Sequence, residues 1–306
     1  MVRAMWRRRA GTTLVAMLGI VVALGLAEVG LRVVGFGDPV LYDNRAAWGY
    51  RPLPDQTRRR FGGARVHVNG LGTRGPDVGR EPRDGARRVL FLGDSVTFGG
   101  TYVDDDALFS AVAAAAQHVP VEPLDAGVNA WGFENVLGLV QATGGFASDV
   151  WVLTALEDDF RREKTHIGEV PYFNVAPKTA LAEVAVLAAY QLLGRYRVPK
   201  PENDIVALGR RNLSTVAAIV AAARTAGAKI LLVWHPYEGA LRWGQPEPNR
   251  APYLAIDADA RLDLHEAYGR ASAPLYVDGM HLSVEGHRVA GEAIGTALAP
   301  ILASLR

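Results

Sequence analysis

The chain contains no cysteine. That absence excludes disulfides, thiolate metal sites and cysteine nucleophiles together. It leaves the compartment open, because an exported protein with an adequate core needs no disulfide. A charge excess of one sign is also missing: the formal net charge is +1 over 306 residues. Nothing in that balance calls for nucleic acid or a strongly acidic partner. The short basic run Arg58-Arg59-Arg60 fits a solvated loop. There is no internal repeat, and no low-complexity tract beyond alanine-rich helices.

What is present is an ordinary globular balance, 49% hydrophobic and 21% charged residues, enough for an independent core. The N-terminus stands apart. Arg3, Arg7, Arg8 and Arg9 precede an uncharged stretch from Ala10 to Ala27. As a helix this stretch would be ~27 Å long, close to the thickness of a hydrocarbon core. Glu28 is the first acid after it. Residues 1–34 are therefore expected to form a signal-anchor or transmembrane helix. Its basic end would stay cytoplasmic, and the rest of the chain would be periplasmic or extracellular. The competing reading takes Gly25-Leu26-Ala27 as a signal-peptidase site that releases a secreted protein. The apolar stretch is longer than a usual signal core, which favours the uncleaved anchor.

Residues 35–87 are rich in Pro, Gly and Arg and suggest a linker and an irregular extension. Val66-His67-Val68 is the one short strand expected there, before a turn at Asn69-Gly70. From residue 88 to 306 the pattern alternates. Strands are expected at Arg88–Leu92, Val121–Ala126, Asp149–Leu156, Lys229–Trp234 and Leu275–Val277. Helices are expected at Leu108–His118, Phe133–Gly144, Thr179–Leu193, Ile205–Ala226 and Val284–Leu305, the last with Ser283 as N-cap. The helix at Thr179–Leu193 is too short to span a bilayer and suits burial or packing on a membrane surface. Alternation of this kind predicts an α/β fold, a parallel sheet of about five strands covered on both faces. Chemistry then belongs at the C-terminal strand ends.

Two blocks at such ends carry the chemistry. In Gly93-Asp94-Ser95-Val96-Thr97-Phe98-Gly99, glycine permits a tight bend, and Ser95 opens a helix where backbone N–H groups can stabilise negative charge. A serine hydroxyl needs a base. Asp278-Gly279-Met280-His281 puts a carboxylate and an imidazole on one loop. The carboxylate can fix the tautomer, and the free ring nitrogen can take the serine proton. His287 is the rival base, but its place inside a helix suggests packing. His235, at a strand end, is a minor candidate. A metal site built from the acids near Glu157 with Asp94 or His281 has no supporting ligand spacing, so neither metal nor cofactor is expected.

Together these blocks resemble the SGNH/GDSL hydrolase superfamily, from about Arg88 to the C-terminus. Gly93-Asp94-Ser95 is similar to its first block, Gly127 to its glycine block, and Asp278 to His281 to its last. Ala27–Arg32 and Asn69–Gly75 are similar to segments of membrane-anchored bacterial members. The resemblance implies a flavodoxin-like three-layer α/β/α sandwich that hydrolyses or transfers acyl groups. It implies Ser95 as nucleophile, His281 and Asp278 as its partners, and an oxyanion hole from the Ser95 and Gly127 N–H groups. The third block departs from the family. Where the family has Gly-x-Asn-Asp, this chain has Leu156-Glu157-Asp158-Asp159. An ionised Asp158 has no N–H to donate, which makes it a doubtful third donor, and losing one such donor costs about 100- to 1000-fold in rate. A protonated acid or Asn129 could substitute.

The expected function is an exported, membrane-tethered serine esterase acting on an acyl ester, such as an acylated cell-envelope polysaccharide or lipid. The alternatives are an O-acyltransferase on a cell-envelope glycan and a weakened binding or scaffolding protein on the same fold. A cap insertion near 161–203 would set specificity.

Overall fold

The computed structural model describes residues 2–193 and 205–305, with side chains from Thr12 onward. The end of the expected cap insertion, 194–203, lies outside the described residues. The arginine-flanked apolar stretch forms one helix, α1 (Val2–Val33); no residue of its Thr12–Val33 part is buried, and only Glu28 and Leu31, near its C-terminal end, are half-covered by the rest of the protein.

The chain does not leave α1 as a free tether. Gly35 turns it at a positive φ of 105°, and the Phe36 N–H donates back to the Leu31 carbonyl at 2.9 Å. The segment expected to be irregular then folds into two antiparallel hairpins. These are β1 (Tyr42–Arg45) with β2 (Gly49–Pro52), and β3 (Gln56–Arg59) with β4 (Arg65–Val68). Each strand has four residues; β4 contains the expected Val66-His67-Val68, while the other three are too short for a periodic apolar run to announce them.

The core is a parallel sheet of β5 (Arg87–Leu92), β6 (Val121–Asp125), β7 (Val150–Ala155), β8 (Lys229–Trp234) and β9 (Ala260–Asp263). The strands lie in the order β6-β5-β7-β8-β9, so the connection reverses direction at β5. That is the flavodoxin order, in which sites form at the switch between the first and third strands. Helices follow the strands: α2 (Ser95–Phe98), α3 (Phe109–Ala115), α4 (Phe133–Thr143), α5 (Ala180–Leu193), α6 (Ile205–Thr225), α7 (Glu238–Trp243), α8 (Arg250–Leu254), α9 (His265–Gly269) and α10 (Val284–Ser304). Alternate side chains of β5 serve two cores. Val89 and Phe91 join Phe109 of α3 and Ile294 of α10, while Leu90 and Leu92 join Val136 of α4 and Val216 of α6. Strands buried on both faces need uninterrupted apolar runs, and β5, β7 and β8 have them. Complete burial of each such side chain stabilises the fold by about 1.5–3 kcal/mol. The result is a three-layer α/β/α sandwich. Although α6 is long and apolar, Val216, Ile219, Val220 and Ala223 are buried in the core.

The fifth strand is not where the sequence suggested. Leu275–Val277 makes only an isolated antiparallel bridge, Tyr276 to Leu282. The edge strand is β9, Ala-Arg-Leu-Asp, which pairs with β8 from Leu231 to Trp234. Its alternating charges and half-exposed side chains give it no apolar run to read.

Candidate active site

The site stands at the C-terminal ends of β5 and β7, on the switch point. After β5 the chain bends at Gly93, where a Cβ would collide with the Thr97 hydroxyl and come within 2.9 Å of the Thr154 carbonyl. Asp94 then caps α2, its Oδ1 accepting from the Val96 N–H at 2.8 Å. Ser95 is the first residue of α2 and stays partly exposed. A helix leaves its first N–H groups without internal acceptors, so α2 does not consume the Ser95 N–H.

The loop from Leu275 to Ser283 brings the other two groups. It is closed by backbone bonds from Val277 N–H to the His281 carbonyl and from Ser283 N–H to the Leu275 carbonyl, at 2.9 and 2.8 Å. Within it, Asp278 Oδ1 accepts the backbone N–H of His281 (2.8 Å), and Oδ2 lies 2.7 Å from His281 Nδ1. His281 Nε2 lies 2.8 Å from Ser95 Oγ. A carboxylate only accepts, so Nδ1 carries the proton and Nε2 is free to accept from the serine hydroxyl. Burial opposes ionisation of Asp278. The His281 backbone and ring bonds and the Met280 N–H outweigh it and hold the carboxyl below its usual range.

A buried histidine supports this loop. His235, at the end of β8, is fully buried, with Nε2 at 2.9 Å from the Met280 carbonyl and Nδ1 at 3.0 Å from the Tyr268 hydroxyl. The carbonyl can only accept, so Nε2 donates and Nδ1 accepts from Tyr268. Burial pushes its pKa down to about 4, which keeps the ring neutral. His287 is not near the serine chemistry. It is buried in α10, accepts the Phe109 N–H at Nδ1 (3.2 Å), and burial lowers its pKa to about 3.

The expected oxyanion donors fare differently. The Gly127 N–H donates to Asp125 Oδ1 at 3.1 Å, so it is not free in this structure. Gly127 is instead a close-approach residue, since a Cβ there would collide with the Phe98 nitrogen and the Thr97 backbone under the serine turn. Asn129 Nδ2 lies 3.4 Å from the Tyr42 hydroxyl, and its carbonyl accepts from the Tyr50 hydroxyl at 2.6 Å. The hairpin of β1 and β2 thus supplies an aromatic wall that the sequence did not reveal, with Tyr42 stacked on Tyr172 at 4.7 Å.

Two of the three acids in the block Glu157-Asp158-Asp159 are buried. Glu157 is buried and accepts both N–H groups of Asn249 at 3.1 and 2.7 Å. Asp159 is buried and accepts the Leu156 N–H (3.1 Å) and Arg162 Nη1 (2.8 Å). Burial, then the neighbouring Asp94 charge, push its carboxyl well above the usual range, against the pull of Arg162. Asp158 remains half-exposed. Its N–H donates to the Tyr237 hydroxyl at 3.2 Å, and its residue lines an open cavity of about 330 Å³ with Tyr237, Trp243, Asp278 and Met280. A larger cavity of about 900 Å³, lined by Asp104 to Asp106, His118 and Val121, lies away from Ser95.

Sequence reading missed Arg162. Its Nη1 lies 2.7 Å from Asp94 Oδ2 and 2.8 Å from Asp159 Oδ1, and Asp94 Oδ2 is itself 3.4 Å from Ser95 Oγ. One cation therefore ties the ends of β5 and β7 together beside the serine.

The sheet order and this site define a flavodoxin-like sandwich with a Ser–His–Asp hydrogen-bonded chain at its switch point. No protein-family model and no curated protein matches the chain. Solved structures similar to it include TesA, at 14% identity and a TM-score of 0.46, covering 70% of this chain and 99% of that one. Axe2, an acetylxylan esterase from Geobacillus stearothermophilus, is similar at 12% identity and a TM-score of 0.45 over 69% and 94% of the two chains. The acetyl xylan esterase AlAXEase is similar at 15% and 0.44, over 69% and 99%.

Proposed function

We propose that this protein is a serine esterase of the SGNH/GDSL kind, tethered to a membrane by α1, that hydrolyses acyl esters outside the cytoplasm. The observation that carries the reading is the relay from Ser95 Oγ to His281 Nε2 (2.8 Å) and from His281 Nδ1 to Asp278 Oδ2 (2.7 Å). Ser95 Oγ attacks the ester carbonyl as His281 takes its proton, and Asp278 stabilises the imidazolium that forms. His281 then returns the proton to the leaving alcohol. Water repeats the sequence on the acyl-serine and releases the acid.

The Ser95 N–H is the oxyanion donor this reading relies on. The Gly127 N–H joins it only by leaving Asp125. Asp158 contributes none while ionised, so a slower esterase is expected than one with a full set of donors. A boundary after residue 34, with residues 35–306 on the far side of the membrane, belongs to the same proposal.

The test is hydrolysis of p-nitrophenyl acetate by the full-length protein in detergent, with labelling by a fluorophosphonate. Ser95→Ala should abolish labelling and lower the rate by at least about 10³-fold. A Ser95→Ala variant that kept both would overturn the assignment. An added glycan hydroxyl acceptor that is acylated at the expense of hydrolysis would move the reading to acyl transfer.

A further inference from the structure

Helix α5 poses a problem of solvation. It carries a single charged residue, Glu183, and that one is buried against Arg60 at 2.5 Å. The rest of α5 is Ala, Leu, Val, Tyr and Gln. A helix that is apolar on all sides belongs in a protein core or in lipid. Yet Ala185, Val186, Ala188, Ala189, Leu192 and Leu193 are exposed, with Leu192 at 71%. Their spacing of three and four residues gathers them on one face. By contrast, α6 exposes Ile205 and Val206 only in its first turn and carries Arg210, Arg211, Ser214 and Arg224 along the rest of its exposed face, as a water-facing helix does.

The position of α5 says what covers that face. Glu28, near the C-terminal end of the apolar part of α1, accepts the Ala180 N–H at 2.9 Å and the Leu181 N–H at 3.0 Å. Its carboxylate thus caps the first turn of α5 and fixes where that helix begins, at the level of Glu28 in the last two turns of α1. Lys178, just before α5, is exposed, as befits a residue among lipid headgroups. On the opposite side of the helix, the Tyr190 hydroxyl donates to the Glu169 carbonyl at 2.9 Å and holds α5 to the body.

We propose that α5 lies in the membrane–water interface beside α1, with its Val186–Leu192–Leu193 face among the acyl chains of the same bilayer. This rests on reading α1 as a membrane anchor and is separable from it. An interfacial helix buries its apolar face to a depth of about 5–10 Å, and such a patch left in water would invite association. The protein then touches the membrane at two places rather than hanging from one.

Because the chain lacks cysteine, single-cysteine variants report without background. Val21→Cys on α1, Leu192→Cys on α5 and Asp257→Cys at the opposite end of the sheet are labelled with nitrobenzoxadiazole. Each full-length protein is reconstituted into phosphatidylcholine vesicles containing nitroxide-labelled lipid. The expected result is blue-shifted, quenched emission at positions 21 and 192, and neither at 257. Quenching at 21 with water-like emission at 192 would keep the anchor and overturn the interfacial helix. Blue-shifted but unquenched emission at 192 would assign the face to a protein partner and overturn it equally. No quenching at 21 would remove the anchor and the inference with it. Val186→Cys repeats the α5 measurement nearly two turns away.

Discussion

Arg162 balances two carboxylates on one nitrogen, and that sets what its loss would do. Without it, Asp94 and Asp159 face each other in a buried place, a situation that costs about 3–5 kcal/mol. Arg162→Ala should therefore lower both thermal stability and turnover. Combining it with Asp159→Asn should restore stability in a denaturant titration far more than turnover, because Asp94 still lacks the partner that holds it beside Ser95. His235 acts at one remove, through the Met280 carbonyl. His235→Phe should reduce kcat with little change in KM, since it loosens the loop that aims His281 without touching substrate. At Asp278 the carboxyl is held below its usual range, so it stays ionised into mildly acidic conditions. Asp278→Asn should lower kcat by about 10³- to 10⁴-fold at every pH tested, through loss of the correct tautomer. Ser95, Asp278 and His281 were legible because each stands in a short polar block after an apolar run. Arg162 was not, because an arginine near acids is ordinary on a protein surface, and only the fold shows that these acids are buried.

At the scale of elements, legibility followed burial. β5, β7 and β8 are packed on both faces, which demands the apolar runs that sequence reading detects. β9, β1, β2 and β3 are short, edge-like or one-sided, and their residues satisfy turns and charges as readily as strands; β4 was legible through the Val66-His67-Val68 alternation before a turn. Leu275–Val277 was mistaken for a strand because it is a short apolar run just before the Asp–His loop, yet its backbone bonds close that loop rather than join the sheet. Gly127 is a special residue for a reason besides the oxyanion role first assigned to it. Its missing Cβ makes room for the Thr97–Phe98 backbone. Gly127→Ala should push α2 and Ser95 out of line, with destabilisation of about 1–3 kcal/mol and a loss of turnover out of proportion to it. Comparison of fluorophosphonate labelling rates with melting temperatures would show the two effects separately.

Across the whole molecule, the N-terminal extension is part of the body. Arg74 is fully buried and donates to the Phe98 and Gly100 carbonyls at 2.7 and 2.6 Å while pairing with Asp105 at 2.8 Å. The extension thereby braces the turn that carries Ser95. The buried pair of Arg60 and Glu183, 6% and 1% exposed, fastens α5 to the same extension. Glu183→Ala should cost about 3–5 kcal/mol by stranding Arg60, and Arg60→Met with Glu183→Leu should recover most of it. Proton linkage acts at this scale too. His287 is neutral in the fold, with a pKa of about 3, so the unfolded chain binds the proton first as pH falls below about 6.5. Its contribution to stability is lost on acidification at about 1.4 kcal/mol per pH unit. Asp125, raised to about 7 by burial, works in the opposite sense, gaining stability on acidification over the range below 7. His287→Gln should therefore flatten the acid fall of stability relative to the parent between pH 6.5 and 4, measured as the difference between their melting curves.

The bond between Glu28 and the start of α5 has a mechanical consequence. An enzyme on a long flexible leash sweeps a hemisphere and meets whatever drifts into it. Here the last turns of α1 are clamped to the body within a few residues, so with α1 in the bilayer the stand-off of Ser95 from the lipid surface is fixed. Reach is then set by altitude, and encounter becomes a search in two dimensions at one height. On the esterase reading, esters presented at that height would be accessible, and chemically identical ones held nearer or farther would not.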